Sequence, residues 1–174
     1  MEKRRVARWS LAAVLVASVL IATGCSGTKA GTEWQTMTLI QAKPVLVELS
    51  DGDDVREHGE GMAFEAELDD QGGKPVARLL GHHLIVDTPG DDGIGEPSLE
   101  ERFVTLSLIF ESGDAILVQG ANVYPPDQRI LKADAPQYRA IVGGTGAYKG
   151  IRGQVKTTRN GDETYTHVLE YTLD

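Results

Sequence analysis

The side chains of this sequence that could do chemistry are few and sit on apolar, strand-like stretches. Glu48 lies between Val47 and Leu49, and period-two geometry puts it on one face with Leu46 and Ser50. Such a carboxylate is either buried or the outward residue of a surface strand, an exposed edge glutamate or one bridging to an arginine. Burial would raise its pKa and suit it to proton transfer or to stabilising developing positive charge. His83 offers a base or a hydrogen-bond partner, although a lone strand histidine is more often structural. His82 beside it faces the other way, so the pair makes no metal site by itself. Asn122 and Tyr124 share a face, and Tyr124 supplies a phenol. His58 and His167 have no ligand spacing, and the acidic turn Asp51-Gly-Asp-Asp54 lacks the twelfth-position glutamate of a calcium loop. No metal and no organic cofactor are expected. Tyr138, Tyr148 and Tyr171 read as packing and corner residues.

A second concentration of signal is the run from Ala140 to Val155, with glycines at 143, 144, 146, 150 and 153. It describes a strand, a tight corner and a returning strand, because glycine reaches strained backbone angles and permits close approach. It is too compressed for a Walker phosphate loop. As a dinucleotide motif its third glycine comes one residue late, and no amphipathic helix follows.

The elements that must carry these residues begin after an export signal. Lys3, Arg4, Arg5 and Arg8 precede an apolar run from Leu11 to Ile21 and then Ala22-Thr-Gly-Cys25. The apolar run is too short to span a bilayer, which takes roughly 20 residues. The pattern resembles a bacterial lipoprotein signal, with Ala22 where leucine is usual, and it implies acylation of Cys25 and anchoring to the outer face of the cell membrane. Residues 1–24 are then the signal peptide, 25–36 a flexible tether and 37–174 the folded domain. Four of the 17 basic residues and one of the 26 acidic residues lie in the signal, so its removal takes the formal charge from −9 to −12. So acidic a surface argues against nucleic acid.

From Met37 onward, apolar stretches alternate with Gly/Asp/Pro breaks. Strands are expected near 37–50, 61–70, 75–88, 102–112, 114–124, 137–143, 151–159 and 163–173. Ser112-Gly113 and Asn160-Gly161 have tight-hairpin chemistry. No helix–strand alternation appears, so the class is all-β, an antiparallel barrel or sandwich. Val45–Leu49, Val104–Phe110 and Ala115–Val118 alternate little, so either a sandwich buries them or, the favoured reading, the outer faces of a barrel are buried in a homo-oligomer, dimer or trimer.

Gly143-Gly-Thr-Gly-Ala-Tyr-Lys-Gly-Ile-Arg-Gly-Gln-Val155 resembles the glycine motif of allene oxide cyclases and dirigent proteins. Val118-Gln119-Gly120, Arg102-Phe103, the stretch from Gly81 to Pro89 and Glu48-Leu-Ser50 are similar to other strands of that superfamily. The resemblance implies an eight-stranded antiparallel β-barrel enclosing a hydrophobic small molecule. Its catalytic carboxylate falls on Glu48, and its further site positions fall on Ser50, His83, Gln119 and Asn122, with Tyr124 as the nearby phenol. Several of these differ from the plant cyclases, which implies a more polar cavity and a different substrate. The leading expectation is a cofactor-free cyclase or isomerase for a polyene- or polyketide-like molecule, with catalysis by Glu48 and Tyr124. The alternatives are a lipid-anchored barrel that binds an apolar ligand without chemistry, and a plugged structural barrel of the envelope.

Overall fold

Residues 33–48, 58–88, 90, 99–125 and 130–173 are described by a computed structural model. They form nine strands: β1 (Gln35–Gln41), β2 (Val45–Glu48), β3 (Gly61–Asp69), β4 (Pro75–Asp87), β5 (Glu100–Phe110), β6 (Ala115–Tyr124), β7 (Gln137–Gly144), β8 (Arg152–Arg159) and β9 (Tyr165–Thr172). All neighbours are antiparallel, in the order β1-β9-β8-β7-β6-β5-β4-β3-β2, and β1 also pairs with β3. That last pairing closes the sheet into a barrel. Among the described residues there is no α-helix, only a 3₁₀ turn at Gly146–Tyr148.

Nine segments make eight staves, because β1 and β2 share one. Ile40 and Gln41 lie opposite Asp69 and Leu68, and Val45–Glu48 continue along Glu65–Met62. The sequence reading gave 37–50 as one strand, and the structure corrects it. Ala42 N still bonds Glu67 O at 3.0 Å, but Pro44 has no N–H to offer the ladder, so the strand is interrupted there and resumes at Val45 with its register shifted by one residue.

Alternation assigns one face of every strand to the interior, and the inward residues differ along each strand. On β5 they run Glu100, Arg102, Val104, Leu106, Leu108; on β6, Ile116, Val118, Asn122, Tyr124. On β8 Val155 precedes Thr157, and on β9 His167 precedes Leu169 and Tyr171. Because the strands run up and down, the apolar ends coincide at one end of the barrel and the polar ends at the other. The apolar end is a packed plug in which Leu68, Leu79, Ile116 and Leu169 are wholly inaccessible.

The glycine run seals that plug. Gly146 has φ +57, and a Cβ there would stand 1.6 Å from Asp114 Oδ1, so a side chain would have to push the Asp114 carboxylate aside while holding left-handed backbone. Thr145 fastens the corner to β6, its Oγ1 accepting from Ala115 N at 3.0 Å. The strand–corner–strand reading of this motif holds. On the inner face of β4, Gly81 leaves room for the Phe64 ring, whose Cζ lies 2.1 Å from where a Cβ would be.

Outside, Leu80 on β4, Phe103 on β5, Leu117 on β6 and Val142 on β7 are exposed. Of these Leu117 belongs to a stretch that alternates weakly in sequence, as do Val45 and Leu46 on β2, which are also exposed.

Three hairpins share one geometry. Phe110 N bonds Asp114 O and Gly113 N bonds Phe110 O, a pattern repeated at Asp70–Lys74 and Asn160–Thr164. The fourth residue of each turn takes positive φ: Gly73 at +76, Gly113 at +86, and Glu163 at +68. The Asn160-Gly161 pair therefore heads a longer turn than its dipeptide suggested, and its glycine does not occupy the left-handed position. Glu163 does, although a Cβ disfavours that region. Replacing it with glycine removes the strain at the cost of an exposed ion pair to Lys43, which contributes little. We expect Glu163→Gly to raise the melting temperature by roughly 2–4 °C. An unchanged or lower midpoint in differential scanning calorimetry would show that the strain is compensated locally.

Candidate functional site

The polar ends of the strands meet in a continuous chain of side chains around the barrel wall. On β5, Arg102 pairs through Nε with Glu100, and both are almost wholly buried. The Arg102 guanidinium lies 3.8 Å from the centroid of the Tyr124 ring, and its Nη1 is 3.5 Å from His83 Nε2. Tyr124 Oη accepts from Asn122 Nδ2 at 3.2 Å. Asn122 Oδ1 accepts from Arg139 Nε at 2.8 Å, and Thr157 Oγ1 accepts from Arg139 Nη1 at 2.8 Å. Thr157 lies 2.8 Å from His167 Nδ1, and His167 Nε2 lies 2.8 Å from Gln41 Oε1. Seven strands contribute: β5, β4, β6, β7, β8, β9 and β1.

The donors and acceptors fix a direction along this chain. Arginine only donates, so the Thr157 hydroxyl accepts from Arg139; the Gln41 carbonyl only accepts, so a neutral His167 is left to take the Thr157 proton at Nδ1. His167 then carries its proton on Nε2 and donates to the Gln41 carbonyl. By the same reasoning His83 accepts at Nε2 and is protonated on Nδ1. Burial, and after it the neighbouring Arg102, brings the His83 pKa down to about 3. Burial and Arg139 bring His167 down to about 3. Burial lowers Arg139 to about 10, so it stays cationic at neutral pH while both imidazoles are neutral.

This ring borders a cavity of about 130 Å³. Asn122, Tyr124, Arg139, Thr157, His83 and His167 form its polar arc, and Phe64, Val104, Leu106 and Leu131 its apolar wall. Its remaining lining includes Lys43, Ile130 and Glu163 on the connecting loops, all exposed. Lys43 Nζ and Glu163 Oε2 pair at 2.5 Å. Among the described residues no group of histidine, cysteine, aspartate or glutamate could hold a metal ion.

Of the residues singled out in sequence, His83, Asn122 and Tyr124 come together in this cavity. Gln119 does not, because β6 alternation turns it to the outer face, where it is exposed and donates to Thr105 at 3.5 Å. Glu48 ends β2 opposite the buried Met62, and its side chain lies outside the described residues. So do Ser50 and Cys25, with all residues up to 32, the region of the expected signal and most of the expected tether. Sequence reasoning missed Glu100, Arg102, Arg139, Thr157 and Gln41, and it set His167 aside for want of ligand spacing. One signal could have found the arginines and His167. Arg102, Arg139 and His167 each stand two residues before an inward aliphatic (Val104, Ile141, Leu169), so period two places them inside.

The two histidines make a pH prediction. Their folded values of about 3 lie below the ordinary 6.5, so on acidification the unfolded chain takes up these protons first. The stability that comes with neutral imidazoles is complete above pH 6.5 and drains away toward pH 3, at up to about 1.4 kcal/mol per pH unit for each histidine. Urea unfolding at a series of pH values should show a steeper acid loss for the wild type than for His167→Gln. Equal slopes would mean that His167 is protonated in the fold.

No protein-family model matches the chain, and comparison with curated proteins finds no match. Solved structures do match. A pyocyanin demethylase aligns at TM-score 0.57 and 20% identity, over 79% of this chain and 100% of that one. The pterocarpan synthase dirigent protein aligns at TM-score 0.55 and 13% identity, over 82% and 86%. A heme-binding cyclase that catalyses a 4+2 cycloaddition in neoabyssomicin biosynthesis aligns at TM-score 0.59 and 18% identity, over 82% and 68%. At these identities the likeness is one of fold, and the fold is the eight-stranded antiparallel barrel that these proteins share.

Proposed function

We propose that the chain is a cofactor-free cyclase or isomerase that encloses the reacting part of a small organic molecule in the polar end of its barrel. The observation that carries this reading is the placement of Tyr124. Its oxygen accepts from Asn122, its ring lies against Arg102, and it borders the cavity. Its own proton is therefore available to a substrate carbonyl or enol oxygen, while the facing apolar wall restrains the carbon skeleton. Holding a substrate in a near-attack conformer and donating to developing negative charge are the two effects such a site can supply. That two structural neighbours are a cyclase and a dirigent synthase supports the same class of chemistry.

The cavity sets the scale of the substrate. At about 130 Å³ it is smaller than drug-sized ligand sites of roughly 300–1,000 Å³ and comparable to a cavity of about 150 Å³ that holds benzene. A single ring or its open-chain precursor fits inside, with the rest of a larger molecule leaving past Lys43 and Ile130. Glu48 completes the proposal as the carboxylate that takes up or stabilises charge, from the first stave.

A second reading, a barrel that binds without chemistry, is favoured by one observation. Both cavity histidines are held neutral, so neither shuttles protons near pH 7. Turnover separates the two. Incubated with a lipid extract of the producing cell, the wild type should give a product of unchanged mass and new retention time. Glu48→Gln should abolish it, and Tyr124→Phe should slow it by about 10²-fold. A compound that co-purifies unchanged with all three proteins would leave a binder and end the cyclase reading.

Membrane attachment through Cys25 is part of the proposal, because apolar substrates partition into the bilayer. Metabolic labelling with a fatty acid should mark the wild-type chain and leave Cys25→Ala unlabelled. Equal labelling of both would place any acyl group elsewhere.

A further inference from the structure

Among the described residues, the cavity lining carries more cations than carboxylates. Its cationic lining residues are Lys43, Arg139 and Arg159, and its one carboxylate among the described residues is Glu163, engaged by Lys43 at 2.5 Å. Glu100, the buried carboxylate nearby, pairs with Arg102 and does not border the cavity. Arg139, 5% exposed, bonds the neutral oxygens of Asn122 and Thr157, and no carboxylate among the described residues is seen to pair with it. Arg159 is half-buried, with the Tyr165 hydroxyl and the Glu163 carboxylate near its guanidinium, but its Nε is buried and meets no acceptor among the described residues. A cation out of water is costly to keep without an anion beside it, and the histidines, being neutral, neither add to nor relieve the excess.

We propose that the cavity receives its ligand through an organic oxyanion, a carboxylate or the enolate of an acidic 1,3-dicarbonyl, seated against Arg139 and Arg159. The proposal rests on the reading of this cavity as a ligand site and names the chemistry that the site selects. Both residues line the cavity, Arg139 from β7 and Arg159 from the end of β8, two positions beyond Thr157, so an anion in the cavity has planar donors available from two strands. Leu106, Leu131 and Phe64 opposite favour a carbon skeleton over a bare inorganic anion. The ring of polar contacts gives the seat its rigidity. Arg139 is held at Nε and Nη1 by Asn122 and Thr157, so its fork is oriented before the ligand arrives and little freedom is lost on binding. An enolate placed there would be stabilised as it forms, which links the seat to the proposed chemistry of Tyr124 on the neighbouring β6.

The test uses the full chain in mild detergent, titrated calorimetrically at pH 7 with three probes of similar size. Benzoate reports a carboxylate, dimedone an acidic dione that is largely ionised, and benzyl alcohol a neutral ring. At least one anion should bind tenfold or more tightly than benzyl alcohol, and the better of the two identifies the head group. Arg139→Gln should bring the anion and the alcohol to within about twofold of each other. Because Arg139 also holds the wall together, Arg159→Gln serves as the second variant, with a severalfold loss of anion affinity at unchanged alcohol binding. Benzyl alcohol binding as tightly as the anions, no binding of either anion, or full anion affinity in Arg159→Gln would overturn the proposal. Anion binding without an isomerised product would leave the seat standing and remove the cyclase. A neutral compound turned over equally by wild type and Arg159→Gln would do the reverse.

Discussion

Two guanidiniums inside a closed barrel impose the constraint on which the rest of this structure depends. Arg102 and Arg139 are nearly inaccessible to solvent, and a buried cation must find acceptors or leave. Arg102 takes Glu100 and the face of Tyr124; Arg139 takes Asn122 and Thr157. Each acceptor has further hydrogen-bonding capacity, and satisfying it recruits His167, Gln41 and Tyr124 in turn. The chain of contacts therefore spreads around the wall until seven strands are joined. Register errors in any of these strands would move a member to the outer face and strand its neighbours.

The same constraint explains why the barrel is divided. A polar network in a low-dielectric interior is tolerable only if it is complete or if its open side meets water or a ligand. The lower half of the barrel is packed with aliphatic side chains and sealed by the corner at Gly146. The network lies above that plug and borders the cavity. Phe64, seated over Gly81 and 5.4 Å from His83 between ring centroids, marks the boundary between the two environments. Neutral histidines suit this boundary, because a third and fourth charge there would have no partner.

Alternation and turn chemistry made most of the fold legible. Strand positions from Gly61 onward fall within about two residues of those expected, since each is bounded by Gly, Asp or Asn and carries inward aliphatics. Two departures have local causes: Pro44 interrupts the first stave, and the turn after Asn160 puts Glu163 rather than Gly161 in the left-handed position. The site was legible only in part. Asn122 and Tyr124 lie on one strand two residues apart, and the family resemblance pointed to the first of them and to His83. Gln119 came from the same resemblance, but its odd parity against Asn122 already placed it outside.

What the sequence determined by itself is the class of fold and the inward set of each strand, because both follow from a two-residue period that needs no knowledge of neighbours. What only the tertiary structure decided is which inward residues meet. Arg139 and Asn122 are 17 positions apart, and His167 and Gln41 are 126. No spacing along the chain encodes those contacts; they exist because barrel closure brings β1 against β9 and stacks the polar ends of the strands at one rim. The charge imbalance arises at the same level, since a guanidinium becomes an unmatched cation only once the walls around it are known.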